Sequence, residues 1–76
     1  MPHVIVKLLA GRTVEQKARI AEEVTKALIA AIDCPETSVS IGIEDVAHEA
    51  WTETVYNPDI LEKPESIYKK PGYDPH

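Results

Sequence analysis

From His3 to Leu9 the chain reads HVIVKLL, with Val4, Val6 and Leu8 alternating onto one face and Ile5 and Leu9 onto the other. That alternation is the period of a strand, and branched apolar residues on both faces predict one that is mostly covered on both sides. Ala10-Gly11-Arg12 turns the chain, and Thr13-Val14-Glu15-Gln16 has the Thr-x-x-Gln form of a capping box, which satisfies amides left unpaired at a helix start. Val14, Ala18, Ala21, Val24, Leu28 and Ala31 then recur at steps of three and four, while Glu15, Lys17, Arg19, Glu22, Glu23 and Lys26 lie mostly elsewhere on the surface. This predicts a helix with one stripe facing a sheet. Asp33-Cys34-Pro35-Glu36 closes it, because proline disfavours helical geometry in the residue before it and has no amide proton to continue the ladder.

A second strand follows at once, with Val39, Ile41 and Ile43 alternating with Ser40, Gly42 and Glu44. Strand, helix and strand make a βαβ unit with parallel strands and a right-handed connection, so the fold class is α/β (α+β). Two strands do not make a stable sheet unaided, so completion of the sheet by a second subunit is expected. After Asp45 the periodicity weakens; short helices are predicted near 47–56 and 58–67, the second opened by Asn57-Pro58. We read residues 1–76 as a single domain in which 52–76 is a C-terminal extension, its Val55, Tyr56, Ile60, Leu61, Ile67, Tyr68 and Tyr73 supplying apolar area for an oligomer contact.

Composition sharpens this picture. A chain of 76 residues hides only about 60% of the surface its unfolded form exposes, so it needs reinforcement. One cysteine, Cys34, excludes an internal disulfide, and His3, His48 and His76 are too scattered to suggest a metal site. Oligomerisation remains. A net charge of −5 and dispersed basic residues, apart from Lys69-Lys70, argue against nucleic acid as a partner. No apolar run approaches the roughly 20 residues needed to span a bilayer, and no secretory leader is evident, so no membrane partner and a cytoplasmic location are expected.

Met1-Pro2 followed at once by a strand, LLAGRTVEQK at the strand-to-helix junction, DCPETSVSI entering the second strand and a later aromatic together resemble the 4-oxalocrotonate tautomerase family over about residues 2–51. The tail from Trp51 to IYKKPGY resembles a longer subgroup of phenylpyruvate-type tautomerases, described as dimeric where the core family is hexameric, which implies a homodimer, with a hexamer as the other option. The resemblance implies a cofactor-independent keto–enol isomerase in which Pro2, exposed by removal of Met1, is the general acid/base. It also implies that Arg12 contacts a substrate carboxylate and that Trp51 takes the place of a pocket phenylalanine. Where dicarboxylate-processing members carry a second arginine this chain has Ser40, so a monocarboxylate such as a 2-hydroxydienoate or an aryl-pyruvate enol suits it better.

The chemistry fits those residue types. Moving a proton between oxygen and carbon needs a group titrating near neutrality. An α-amino group has a reference pKa near 8; lowering it to roughly 6.5 by an apolar setting and a nearby cation would leave most molecules neutral and basic. Arg12 suits a carboxylate because its guanidinium offers two parallel hydrogen bonds. Donors from Arg12, Ser40 or strand amides would stabilise charge on the enol oxygen, with Trp51 excluding water.

Plainer roles exist for each position. Taken alone, Pro2 reads as a residue that only permits loss of Met1, Arg12 as a solvated turn residue, Trp51 as core or interface and Ser40 as part of a polar strand face. His3 reads as an exposed edge residue, and Cys34 as helix-end packing, with no evident cation to activate it. His48 with Glu49 and Glu53 allows an alternative: hydration or dehalogenation of unsaturated acids at the same proline. A further alternative is a non-catalytic oligomeric scaffold that binds a metabolite.

Overall fold

The computed structural model describes residues 1–76. Strand β1 (His3–Leu9), helix α1 (Val14–Ile32) and strand β2 (Ser40–Val46) form a βαβ unit, and β1 and β2 pair in parallel from His3 opposite Ser40 to Leu9 opposite Val46. The bounds of β1 are those the alternation predicts. The ladder is extended at both ends by Ser40 N–H donating to the Pro2 carbonyl at 3.2 Å and Ala10 N–H donating to the Val46 carbonyl at 2.9 Å.

Helix α1 starts as its capping box requires. Gln16 N–H donates to Thr13 Oγ1 at 3.1 Å, and Thr13 N–H donates back to Gln16 Oε1 at 2.9 Å. It ends at Asp33, whose left-handed φ of 53° turns the chain out of the helix while its N–H still reaches the Ile29 carbonyl. The sequence stripe is only partly the covered one: Ala21, Val24 and Leu28 are half-buried together with Lys17, Ile20, Thr25 and Ile29, but Val14, Ala18 and Ala31 are exposed. The covered stripe is rotated because Lys17 lies over the sheet, where its ammonium pairs with Asp45 at 2.8 Å while its stem covers apolar surface. The helix therefore covers the Val4, Val6, Leu8, Ile41 and Ile43 side, which the register places on the same face as Asp45.

The opposite face is only half covered. The chain after β2 makes a single 3₁₀ turn at His48–Ala50, a π helix over Thr52–Leu61 and another 3₁₀ turn at Pro64–Ser66. Short helical segments are present, as the sequence predicts, but Pro58 lies inside one and does not open it. In the wider π turn bonds span five residues, as between Glu62 N–H and the Asn57 carbonyl at 3.0 Å. Proline's missing donor there costs only the bond to the Glu53 carbonyl, and Glu53 is exposed to water.

The π helix packs back on its own sheet through Lys7, which donates to Asp59, with both side chains about one-third exposed. Val55 and Tyr56 are the buried residues, at 5% and 8% exposure, so the tightest packing lies beneath this segment and not between α1 and the sheet. Towards the start of β1 the same face is open. Ile5 is 51% exposed, so the expectation that both faces of β1 are covered holds within this chain only for its second half.

Thr13→Ala removes one half of the capping box and should lower stability by about 1 kcal/mol, with Thr13→Ser largely preserving it, as read by urea unfolding at fixed protein concentration. The Asp59 hydrogen bond, followed by the Asp59 charge, holds the Lys7 ammonium above the usual lysine range. Because that value is raised on folding, the stabilisation is fully present below the ordinary lysine value and is lost as pH rises through the raised one. Asp59→Asn should therefore speed amide exchange in residues 52–61 at neutral pH, and a protection pattern identical to the wild type would show that the pair does not hold the segment down.

Candidate active site

Parallel pairing sorts the candidate residues to the two ends of the sheet. At the start of β1, Pro2 is half-buried and its carbonyl is tied to the Ser40 amide, while Met1 ahead of it is fully exposed. Ser40 Oγ lies 2.7 Å from His3 Nδ1, as their positions opposite one another in the register require. His3 is exposed, but it is not a free edge residue, since it engages the hydroxyl of a candidate binding residue.

At the far end of β1, Gly11 adopts a φ of 126°, a conformation open to glycine and rarely to other residues. This turn brings Arg12 back over the strand, where its Nη1 donates to the Leu9 carbonyl at 3.3 Å. No carboxylate pairs with Arg12, and its guanidinium is exposed. It lines a shallow surface depression with Gln16, Arg19, Ile20 and Glu23. Arg19, read from the sequence as part of a charged helix face, is thus a second arginine beside Arg12.

Trp51 stands at the same end. With Leu9, His48, Thr52, Tyr73 and Pro75 it lines a cavity of about 340 Å³, large enough for a small organic acid. Trp51 Nε1 donates to Tyr73 Oη at 2.8 Å, and the Tyr73 ring packs at a tilt on Tyr56, with centroids 5.6 Å apart. The chain end is fastened beyond it: His76 packs edge-on against Tyr56 at 5.5 Å, and His76 Nε2 is 2.9 Å from Asn57 Oδ1. Tyr73 and His48 are therefore cavity residues. Sequence reasoning took Tyr73 only as interface area, since nothing in local periodicity signals a contact across 22 residues.

The two ends do not meet within one chain. Seven strand residues, roughly 23 Å of strand, separate Pro2 from the Arg12 turn, so Pro2 and Ser40 stand at one end of the sheet and Arg12 and Trp51 at the other. Glu49 and Glu53 are exposed and lie outside the Trp51 cavity, and no three His, Cys, Asp or Glu side chains converge as a metal-binding group. Cys34 is half-buried and free. No helix is long and apolar enough to cross a membrane.

Comparison with known proteins gives this arrangement a family. A family model described as "Tautomerase enzyme" matches residues 2–53. A probable tautomerase of Xylella fastidiosa is 36% identical over 73 residues, covering 96% of this chain and 89% of that protein. The Escherichia coli tautomerase PptA is 31% identical over 74 residues, covering 96% and 97%. Among solved structures, a 4-oxalocrotonate tautomerase isozyme of Methylibium petroleiphilum superposes with a TM-score of 0.64 at 40% identity, over 66% of this chain and 81% of its own. TomN, a 4-oxalocrotonate tautomerase homologue of the tomaymycin biosynthetic pathway, superposes with a TM-score of 0.65 at 28% identity, over 86% and 97%. An unpaired arginine and an aromatic cavity at one end of a parallel βαβ unit, with a proline at the other, thus sit on a shared framework: the chain belongs to the tautomerase family, and it is an isomerase on the 4-oxalocrotonate tautomerase fold.

Proposed function

We propose that the enzyme interconverts the enol and keto forms of a small monocarboxylate, a 2-hydroxydienoate or an aryl-pyruvate, with the nitrogen of Pro2 as general acid/base and no cofactor. The observation that carries this reading is the mooring of Pro2: its carbonyl is held by the Ser40 amide while Met1 extends fully exposed beyond it. Cleavage after Met1 would leave a secondary amine on a ring whose position the ladder already fixes. The neutral amine takes the enol hydroxyl proton, the electron pair moves through the conjugated system, and the ammonium returns a proton to carbon. Proton and electron counts balance without an added reagent.

Arg12 would hold the carboxylate, and the Trp51 cavity would receive the apolar body of the substrate. Since both lie roughly 23 Å from Pro2 along the strand, the reading requires two copies of the chain to build one site. A second copy whose β1 runs antiparallel to the first would bring its Arg12 and Trp51 to the Pro2 end. Ser40 stands next to Pro2 and would contribute a hydroxyl through its contact with His3. It supplies no cation, which favours one carboxylate on the substrate over two.

Pro2→Ala leaves a primary amine without the ring and should reduce kcat at least a hundredfold, on the scale of general acid/base catalysis, measured by loss of enol absorbance. Full turnover in that variant, or a mature protein that retains Met1 and is active, would contradict the role of the Pro2 nitrogen. The shared site has its own test. Pro2→Ala and Arg12→Ala copies, each inactive alone, should on random mixing recover about a quarter of wild-type activity if the assembly is a symmetric dimer, since half the dimers are mixed and each carries one intact site. Failure to recover any activity after verified subunit exchange would rule out a site that takes Pro2 from one copy and Arg12 from the other.

A further inference from the structure

We propose that the Tyr73 hydroxyl is a substrate contact that donates a hydrogen bond to the oxygen on carbon 2 of the bound keto–enol acid. This rests on the reading of the site given above and adds to it a residue outside the matched family region, which ends at residue 53. Three of the six residues lining the Trp51 cavity, Thr52, Tyr73 and Pro75, belong to the C-terminal extension, and two of them lie beyond that region. The far wall of the pocket is thus built by a segment separate from the shared βαβ core.

The polarity of the Trp51–Tyr73 contact gives the assignment its direction. An indole N–H can only donate, so Tyr73 Oη is the acceptor at 2.8 Å. A phenol carries one proton of its own, and no hydrogen bond within the chain uses it. Accepting from the indole polarises the hydroxyl and makes it a better donor. The ring cannot readily swing away, because it packs on Tyr56, which is buried. One fixed donor matches one oxygen.

The remaining cavity chemistry indicates which oxygen. Leu9, Trp51 and Pro75 offer apolar surface for a substrate body, and Arg12, bonded to the Leu9 carbonyl at the same end of β1, is the cation available to a carboxylate. The enol or keto oxygen is then the group this cavity leaves to Tyr73, any Ser40 hydroxyl coming from the Pro2 side. It is also where negative charge gathers as the proton leaves, so a neutral donor aimed at it lowers the barrier. The proton is shared and stays on Tyr73, while transfer remains with Pro2.

Tyr73→Phe keeps the ring on Tyr56 and removes only the hydroxyl. With phenylpyruvate enol as substrate, kcat should fall about tenfold while KM changes less than about twofold, less than the loss for a fully enclosed oxyanion donor because Tyr73 is 47% exposed in this chain. A second measurement needs no turnover. In the Pro2→Ala background, titrations followed on the single indole N–H resonance of Trp51 should show phenylpyruvate binding about fivefold tighter than cinnamate, which lacks the oxygen, and Tyr73→Phe should abolish that preference. An unchanged preference, unchanged kcat, or faster turnover, which would mark Tyr73 as a plug, would each overturn the proposal. Turnover that survives Pro2→Ala would instead reject the proline reading, and the ligand preference would still decide the role of Tyr73.

Discussion

The parallel ladder between β1 and β2 is the constraint from which the rest of the molecule follows. Parallel strands cannot be joined by a tight hairpin, so the chain must return over one face, and the capped helix α1 provides that return. The same ladder sets Pro2 against Ser40 and Leu9 against Val46. Every group that follows β1 or β2, including Arg12 after its glycine turn and Trp51 after the His48 turn, is delivered to one end of the sheet. Every group that precedes them is left at the other.

That geometry also explains why one chain looks incomplete. Val55 and Tyr56 alone are buried, Ile5 is half open on the uncovered face of the sheet, and Val14, at the start of α1, is 75% exposed. A sheet of two strands has an unpaired edge on each side, and exposed backbone donors and acceptors favour pairing with another strand. Association would bury the open face and, with an antiparallel neighbour, would join opposite ends of two ladders. The physical need for a core and the proposed pairing of Pro2 with a cation would then have one solution.

The core of this fold was legible from the sequence because its signals are local. Alternation in HVIVKLL, the Thr13-Gln16 box and the Asp33-Cys34-Pro35 stop each act within a few residues, and each corresponds to an element boundary in the structure. The tail was less legible. Whether Asn57-Pro58 starts a helix or lies inside one depends on whether the backbone bonds span four residues or five, and the segment is tied to the sheet by Lys7 through Asp59, a contact far apart in sequence that local patterning does not signal. The helix stripe was displaced for a similar reason: Lys17, polar in any count of hydrophobic positions, is carried over the sheet by Asp45. Candidate residues Pro2, Arg12, Ser40 and Trp51 were found through a resemblance, which names positions but not distances. Their separation into two groups became visible only with the strand between them.

The division between core and tail has a further consequence for how the site can vary. Within the matched region lie all four proposed site residues, Pro2, Arg12, Ser40 and Trp51, at the ends of strands or on the segments that flank them, where the ladder limits movement. Tyr73 and Pro75 reach the cavity from a segment held by side-chain contacts: the Trp51 hydrogen bond, the packing on Tyr56 and the fastening of His76 at Asn57. Contacts of that kind can be replaced one at a time without disturbing a backbone ladder. If the reaction resides in the rigid part and the shape of the pocket in the replaceable part, changes in the tail would alter which acid is accepted while leaving the position of Pro2 unchanged. Tyr73 stands at that boundary, since its ring belongs to the packing of the tail and its hydroxyl faces the indole of the core.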